Sequence, residues 1–248
     1  MKKLLDIYYT EERHPMKMLN LYLPECESFP VFVYFHGGGL VAGDRTGSDA
    51  AMQYLTERGI ATVNVEYRMY PDAKYPDFIE DCAAAVAWVK KNLGAYGANG
   101  EIYVGGSSAG GYLSMMLCFD KKYLGAHGID PCEITGWFHD AGQPTKHFNV
   151  LKYGGEDARR VIVDETAPLY HIGTAERHSP MRFIVSDRDM ECRFEQTMLV
   201  LATMKHFGYS RYDHVVMQGT HCAYCNRIEN GESVFGKMIL DFIQNPPQ

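Results

Sequence analysis

Several things are missing from this chain, and each absence removes a class of protein. No apolar run approaches the ~20 residues that cross a bilayer, which excludes a membrane-spanning helix. Met1 to Asp6 begins like the basic start of an export signal. Asp6 and a Tyr/Thr/Glu stretch then follow Leu4 and Leu5, so no apolar segment develops and a cytoplasmic protein is expected. There is no long Lys/Arg run, and 24 Lys+Arg stand against 31 Asp+Glu, a formal net charge of −7. Nucleic-acid phosphates and anionic lipid should repel such a surface, so neither is an expected partner. A disulfide framework is missing too, since the seven cysteines are odd in number and scattered. Cys222-Ala223-Tyr224-Cys225 has C-x-x-C spacing but no second pair, which gives a zinc or redox reading little support. No metal or organic cofactor is expected. Repeats, low-complexity tracts and linkers are absent, so residues 1–248 read as one domain.

What remains is a composition suited to a packed core, with 46% hydrophobic and 22% charged residues. Leu4–Thr10 and Lys17–Leu23 read as two strands with a turn near His14-Pro15. Val31–Phe35 and Ile60–Val65 are continuous apolar runs, the pattern of strands buried on both faces. Further strands are expected at Ile102–Gly105, Ile134–His139, Phe183–Ser186 and Tyr212–Met217. Helices are expected at Asp49–Arg58, Pro76–Leu93, Ala109–Phe119, Glu191–Phe207 and Val234–Ile243. In Pro76–Leu93 the proline opens the helix, apolar Ile79, Ala83, Val86 and Val89 recur at helical spacing, and Gly94 follows. Two early strands followed by alternating strand and helix predict an α/β fold. Its central sheet has about eight mostly parallel strands, with helices on both faces.

The chemistry concentrates in four places. Gly106-Ser107-Ser108-Ala109-Gly110 is a G-x-S-x-G motif between an expected strand and an expected helix. A serine on a sharp, strained turn needs small residues two positions away, and the following helix aims its N-terminus at the reacting carbonyl. Ser108 holds the third, projected position, which favours it over Ser107 as nucleophile. His36-Gly37-Gly38-Gly39 follows a strand well upstream. An oxyanion hole needs bare backbone N–H donors about 3 Å from the developing charge. Gly38 and Ala109 are the expected donors, with Gly37 or Gly39 as a third, and His36 is expected to be structural. Gly219-Thr220-His221 follows the last strand, and the order Ser…Asp…His makes His221 the base. His214 falls inside that strand. The acid follows Phe183–Ser186, where Asp187 and Asp189 compete. Position favours Asp189 and leaves Asp187 as a turn former.

Together these residues resemble the hormone-sensitive-lipase-like and carboxylesterase-like branch of the α/β-hydrolases. Gly43-Asp44, Glu66-Tyr67-Arg68-Met69-Tyr70-Pro71 and the helix Glu80–Trp88 add to the resemblance, which covers most of the chain. Ser107 stands where that branch often carries aspartate. Only about 35 residues precede the H-G-G-G, and they read as strands, so the nearest likeness is to small, cap-poor acetylesterase and feruloyl-esterase-like members. The resemblance implies the α/β-hydrolase fold, the triad Ser108, Asp189 and His221, and a small-molecule ester substrate with a short acyl group, such as an acetylated or feruloylated carbohydrate. Amide or peptide hydrolysis uses the same triad. A binding protein on the same scaffold typically loses the nucleophile or base, and both are present here. Residues 142–180 are long for one connection and form either a small lid or a solvated loop. His139, Asp140, Gln143, His147, Phe148 and Tyr153 are its candidate pocket groups.

Overall fold

A computed structural model describes residues 1–174 and 177–248. Eight strands form one sheet: β1 (Lys2–Tyr8), β2 (Met18–Leu23), β3 (Phe29–Phe35), β4 (Ala61–Val65), β5 (Ala98–Ser107), β6 (Gly136–Asp140), β7 (Met181–Arg188) and β8 (Tyr212–Thr220). Their spatial order is β1-β2-β4-β3-β5-β6-β7-β8. The β1–β2 and β2–β4 pairs are antiparallel, and every later pair is parallel. Among the described residues seven α-helices accompany them: α1 (Asp49–Thr56), α2 (Asp77–Asn92), α3 (Ala109–Phe119), α4 (Lys121–Gly125), α5 (Phe148–Tyr153), α6 (Arg193–His206) and α7 (Val234–Gln244). A two-stranded hairpin, β9 (Ile228–Glu229) with β10 (Glu232–Ser233), precedes α7.

Alternation along the buried strands builds two cores. Val31, Val33 and Phe35 of β3 face one, with Val86 of α2, Leu113 of α3 and Met204 of α6. Phe32 and Tyr34 face the other, with Leu55 of α1 and Ile239 of α7. This is the period-2 rule acting on a strand covered on both sides. The expected elements are all present, with ends displaced by a few residues. Strand β5 starts earlier than its apolar stretch because Ala98, although outside that stretch, pairs with Phe29. Strand β8 runs three residues further than expected, and its half-buried alternation marks it as the sheet edge, with His214 exposed. Pro76 caps α2 rather than opening it. Helices α4 and α5 and the β9–β10 hairpin have no counterpart among the expected elements, because such short pieces carry too few residues to show a period.

Glycine at one point decides how the layers meet. A Cβ on Gly110 would lie 1.9 Å from the carbonyl oxygen of Phe35, and one on Gly106 would lie 2.6 Å from the same oxygen. Helix α3 therefore lies directly against the end of β3. Gly125, at the end of α4, has nothing within 4 Å of its Cβ position. Gly110→Ala should therefore cost about 3 kcal/mol or more, since neither backbone can retreat. Gly125→Ala should be neutral or stabilising by about 0.4–1 kcal/mol. Urea unfolding of the two variants beside the parent checks this, and equal stabilities would contradict it.

Candidate active site

The strand–turn–helix at β5 and α3 presents Ser108 in a conformation that side chains rarely adopt, φ 56° and ψ −113°. Such a residue costs of order 1–3 kcal/mol and persists only when its surroundings enforce it. Here Gly106 and Gly110 allow the close packing, and the Ser108 N–H donates to the Asp140 carbonyl of β6 at 2.8 Å. The hydroxyl is thereby held above the sheet end. It lies 2.8 Å from His221 Nε2, and His221 Nδ1 lies 2.5 Å from Asp189 Oδ1. With the imidazole neutral, Ser108 Oγ–H donates to Nε2 and Nδ1–H donates to the carboxylate.

Two contacts from the end of β7 fix the loop that carries His221. Ser186 Oγ–H donates to the Thr220 carbonyl at 2.9 Å, and the Gly219 N–H donates to Asp187 Oδ1 at 2.8 Å. Asp187, expected from sequence to form its own turn, is instead a cross-strand tie. Asp189 bends back instead, and its carboxylate accepts from the N–H groups of Ser186 (3.1 Å) and Met190 (2.7 Å). Burial raises its pKa, but hydrogen bonding and charge from His221, with these N–H donors, leave it below the ordinary carboxylate value. Burial alone would depress His221. Hydrogen bonds and charge from Asp189 and Cys222 carry it up to about 9 instead.

The Gly37–Gly39 loop shares a cavity of about 510 Å³ with Ser108 and His221. A Cβ on Gly37 would sit 3.3 Å from that of Ser108, so the loop passes directly beside this serine. The Gly38 carbonyl accepts from the N–H groups of Val41 (3.2 Å) and Ala42 (3.0 Å), closing a tight turn. Among the described residues, the N–H groups of Gly38 and Ala109 have no hydrogen-bond partner. Ala109 opens α3, whose first N–H groups have no acceptor within the helix. His36 is structural: its Nδ1 is 2.7 Å from the Gly37 carbonyl, its Nε2 is 3.2 Å from Glu66, and its ring stacks on Tyr67 at 4.3 Å. Tyr67 OH donates to the His36 carbonyl at 2.7 Å. Arg68 holds Asp81 of α2 with two guanidinium bonds of 2.7 and 2.9 Å. The Glu66–Arg68 segment thus clamps the glycine loop to β4 and α2, a role its sequence position alone did not reveal.

Ser107 points away from His221. Its hydroxyl donates to Asp140 Oδ2 at 2.5 Å and accepts from Tyr34 OH at 3.1 Å, which in turn accepts from Ser48 at 2.9 Å. Tyr224 OH donates to the other Asp140 oxygen, and Cys225 Sγ lies 3.4 Å from Oδ2. Burial pushes the Asp140 carboxyl up to about 8. A hydrogen bond from Cys225 pulls the Cys222 thiol down to about 6 against burial, with His221 contributing. Cys222 and Cys225 both line the Ser108 cavity. Sequence reading did not connect Asp140, Tyr34 or these thiols to one another.

The 142–180 segment, of which residues 175 and 176 lie outside the described residues, packs rather than floats. Phe148 and Asn149 line the Ser108 cavity, and Asn149 Nδ2 donates to the Gly39 carbonyl at 2.5 Å. Of the six pocket groups expected here, Phe148 alone faces that cavity. Asp140 lies beneath Ser107, and His139 and His147 are buried, each pulled down to about 3, by burial in His139 and by burial and the Arg193 charge in His147. Gln143 Nε2 donates within its own loop to Thr145 and the Lys146 carbonyl, and Tyr153 stacks on Tyr70 at 4.1 Å.

A mostly parallel sheet with a serine on a strained turn after its fifth strand, and a histidine after its last, is the arrangement of the α/β-hydrolase fold. The comparisons place the chain further. The family described as BD-FAE matches residues 19–130. Esterase LipI of Mycobacterium tuberculosis is 38% identical over 108 residues, 43% of this chain and 34% of its own. The chain thus spans about a third of the length of that curated relative. Esterase B of Lactobacillus rhamnosis superposes with a TM-score of 0.80 at 19% identity, over 98% of this chain and 84% of that one. A truncated carbohydrate esterase from gut microbiota gives 0.80 at 17% identity, over 98% and 95%. The chain has the α/β-hydrolase fold of these esterases, and its residues 19–130 resemble the BD-FAE family. No helix among the described residues is long and apolar enough to cross a membrane.

Asp189 raises the His221 imidazole, so removing its charge must lower it. In Asp189→Asn, proton NMR should show His221 titrating about one unit or more below the parent. Asp187→Asn should leave it within a few tenths. The reverse pattern would make Asp187 the partner of the imidazole.

Proposed function

We propose that this chain is a serine carboxylic-ester hydrolase with Ser108 as nucleophile, His221 as base and Asp189 as its orienting acid. The observation that carries the reading is the continuous Ser108–His221–Asp189 hydrogen-bond chain at 2.8 and 2.5 Å. Ser108 Oγ attacks the acyl carbon as Nε2 takes its proton, and the C=O electrons move to the oxygen. The N–H groups of Gly38 and Ala109, with Gly37 or Gly39 beside them, hold that oxyanion. Protonated His221 then gives its proton to the leaving alkoxide, and water repeats the sequence on the acyl-enzyme. The neutral imidazole is the working form. Activity therefore rises from neutral pH toward about 9, where His221 loses its proton.

The substrate we propose is a short-acyl ester of a hydroxylated alcohol, an acetylated or feruloylated carbohydrate being the type. Tyr34, Ser48, Asn149 and Asn226 give the cavity hydroxyl and amide groups, while Val41, Phe148 and Met190 give it limited apolar surface. The structural relative named a carbohydrate esterase is consistent with this choice. In this reading the chain acts as one domain in a reducing cytoplasm. The 142–180 segment serves as its pocket wall and lid.

Ser108→Ala should abolish ester hydrolysis, a loss of several orders of magnitude, with circular dichroism unchanged. A fluorophosphonate should label Ser108 in the parent and nothing at Ser107. Activity lost in Ser107→Ala and kept in Ser108→Ala would overturn the assignment. An ester and an amide sharing one acyl group tests the bond, and faster turnover of the amide would replace the esterase reading with amide hydrolysis.

Across acetyl to octanoyl esters, kcat/KM should fall beyond the short chains. A lipid pocket would gain roughly 0.8 kcal/mol for each buried methylene. A maximum at octanoyl would therefore rule out the short-acyl claim.

A further inference from the structure

The C-x-x-C turn that follows His221 is used by no step of the proposed hydrolysis, yet its two thiols face the Ser108 cavity. Sequence spacing argued against a metal because no second pair of ligands accompanies it. The fold supplies a third ligand from elsewhere. Asp140, at the end of β6, brings its carboxylate beneath the turn, and the donor atoms of Asp140, Cys222 and Cys225 lie within 4.8 Å of one another. We propose that these three side chains bind a thiophilic divalent cation, zinc by its chemistry, in the wall of the Ser108 cavity.

Three observations support the site. First, the ligand geometry is close to formed. A tetrahedral zinc ion with sulfur ligands at about 2.3 Å keeps them roughly 3.7 Å apart, so modest side-chain rotation closes the set. Cys225 Sγ is already 3.4 Å from Asp140 Oδ2, with a thiol proton between them where the cation would sit. Second, the carboxylate is oriented from behind. Ser107 donates to Oδ2 at 2.5 Å and Tyr224 donates to Oδ1, and hydroxyl donors of this kind fix a ligating carboxylate. Third, the turn itself is closed, since the Cys225 N–H donates to the Cys222 carbonyl at 3.0 Å and keeps the two cysteines on one side. Two thiols with one carboxylate select a soft or borderline ion over magnesium or calcium. A fourth position would face the cavity, beside Asn226 and His221.

Binding exchanges the protons held by the two thiols and by the Asp140 carboxyl for the cation and releases them to solvent; no electron is transferred. A cation there opposes the positive charge that His221 must acquire when Ser108 is deprotonated, and its outer ligand takes space from the acyl carbon. Zinc should therefore inhibit hydrolysis, and a chelator should restore it. The binding itself does not depend on the ester-hydrolase reading.

Cobalt(II) titration of the full chain, kept reduced with a phosphine, tests the binding directly. One equivalent should produce a thiolate-to-cobalt charge-transfer band that zinc displaces. The band should vanish in the Cys222→Ser, Cys225→Ser double variant and persist in Cys192→Ser. Asp140→Asn, checked for folding by circular dichroism, should weaken cobalt binding about tenfold or more. Zinc should slow the parent, while the double variant keeps its own basal rate when zinc is added. Absence of a band in the folded parent, or its survival in the double variant, would overturn the site. A band undiminished in folded Asp140→Asn would overturn the three-ligand assignment.

Discussion

The close approach of α3 to the end of β3 is the constraint on which the site rests. With no side chain at Gly106 or Gly110, the helix start sits against the Phe35 carbonyl, and the chain between them turns sharply enough to force Ser108 to φ 56°. The strain is held in place by the Ser108 N–H bond to Asp140 of the neighbouring strand. It points the hydroxyl outward and leaves the first N–H groups of α3 without helical acceptors. The placement of Ser108 and of the free N–H of Ala109, the nucleophile and oxyanion donor of the proposed reaction, thus follows from one packing event.

Everything else in the site is arranged against that fixed point. The glycine loop after β3 is brought alongside because β3 and β5 are hydrogen-bonded neighbours, with Phe35 opposite Gly106. It is kept there by Tyr67 and Glu66 through His36. His221 arrives from the sheet edge, where β8 has one neighbour, so β7 must tie down its loop with Ser186 and Asp187. Asp189 completes the arrangement by accepting two backbone N–H bonds that aim its carboxylate at the imidazole.

Beneath this lies a second polar layer, running from Ser48 through Tyr34 and Ser107 to Asp140 and the two thiols. Ser107 occupies the second position of the G-x-S-x-G motif, and a carboxylate reaches it from β6. Burial lifts the pKa of that carboxyl to about 8, against the lowering pull of the hydroxyl and thiol donors around it. Such a layer supports the elbow from below and couples it to the turn after His221.

The sequence alone determined the strand–turn–helix at Ser108, because the demand for small residues two positions either side of the serine is local and leaves a local mark. It determined the two-faced burial of β3 and β4 for the same reason, since a continuous apolar run needs no partner to be read. The choice between Asp187 and Asp189 was legible only as a preference. Both follow the same strand, and the direction of each carboxylate depends on Gly219 and His221, more than thirty residues away. The role of Glu66, Tyr67 and Arg68 was legible as a family likeness without a mechanism, because their partners lie on β3, the loop after it and α2. The meeting of Asp140 with Cys225, 85 residues apart, was decided by the tertiary structure alone. It requires β6 to lie beside β5 and the C-x-x-C turn to fold back over both, and no spacing within a linear chain encodes which strands become neighbours.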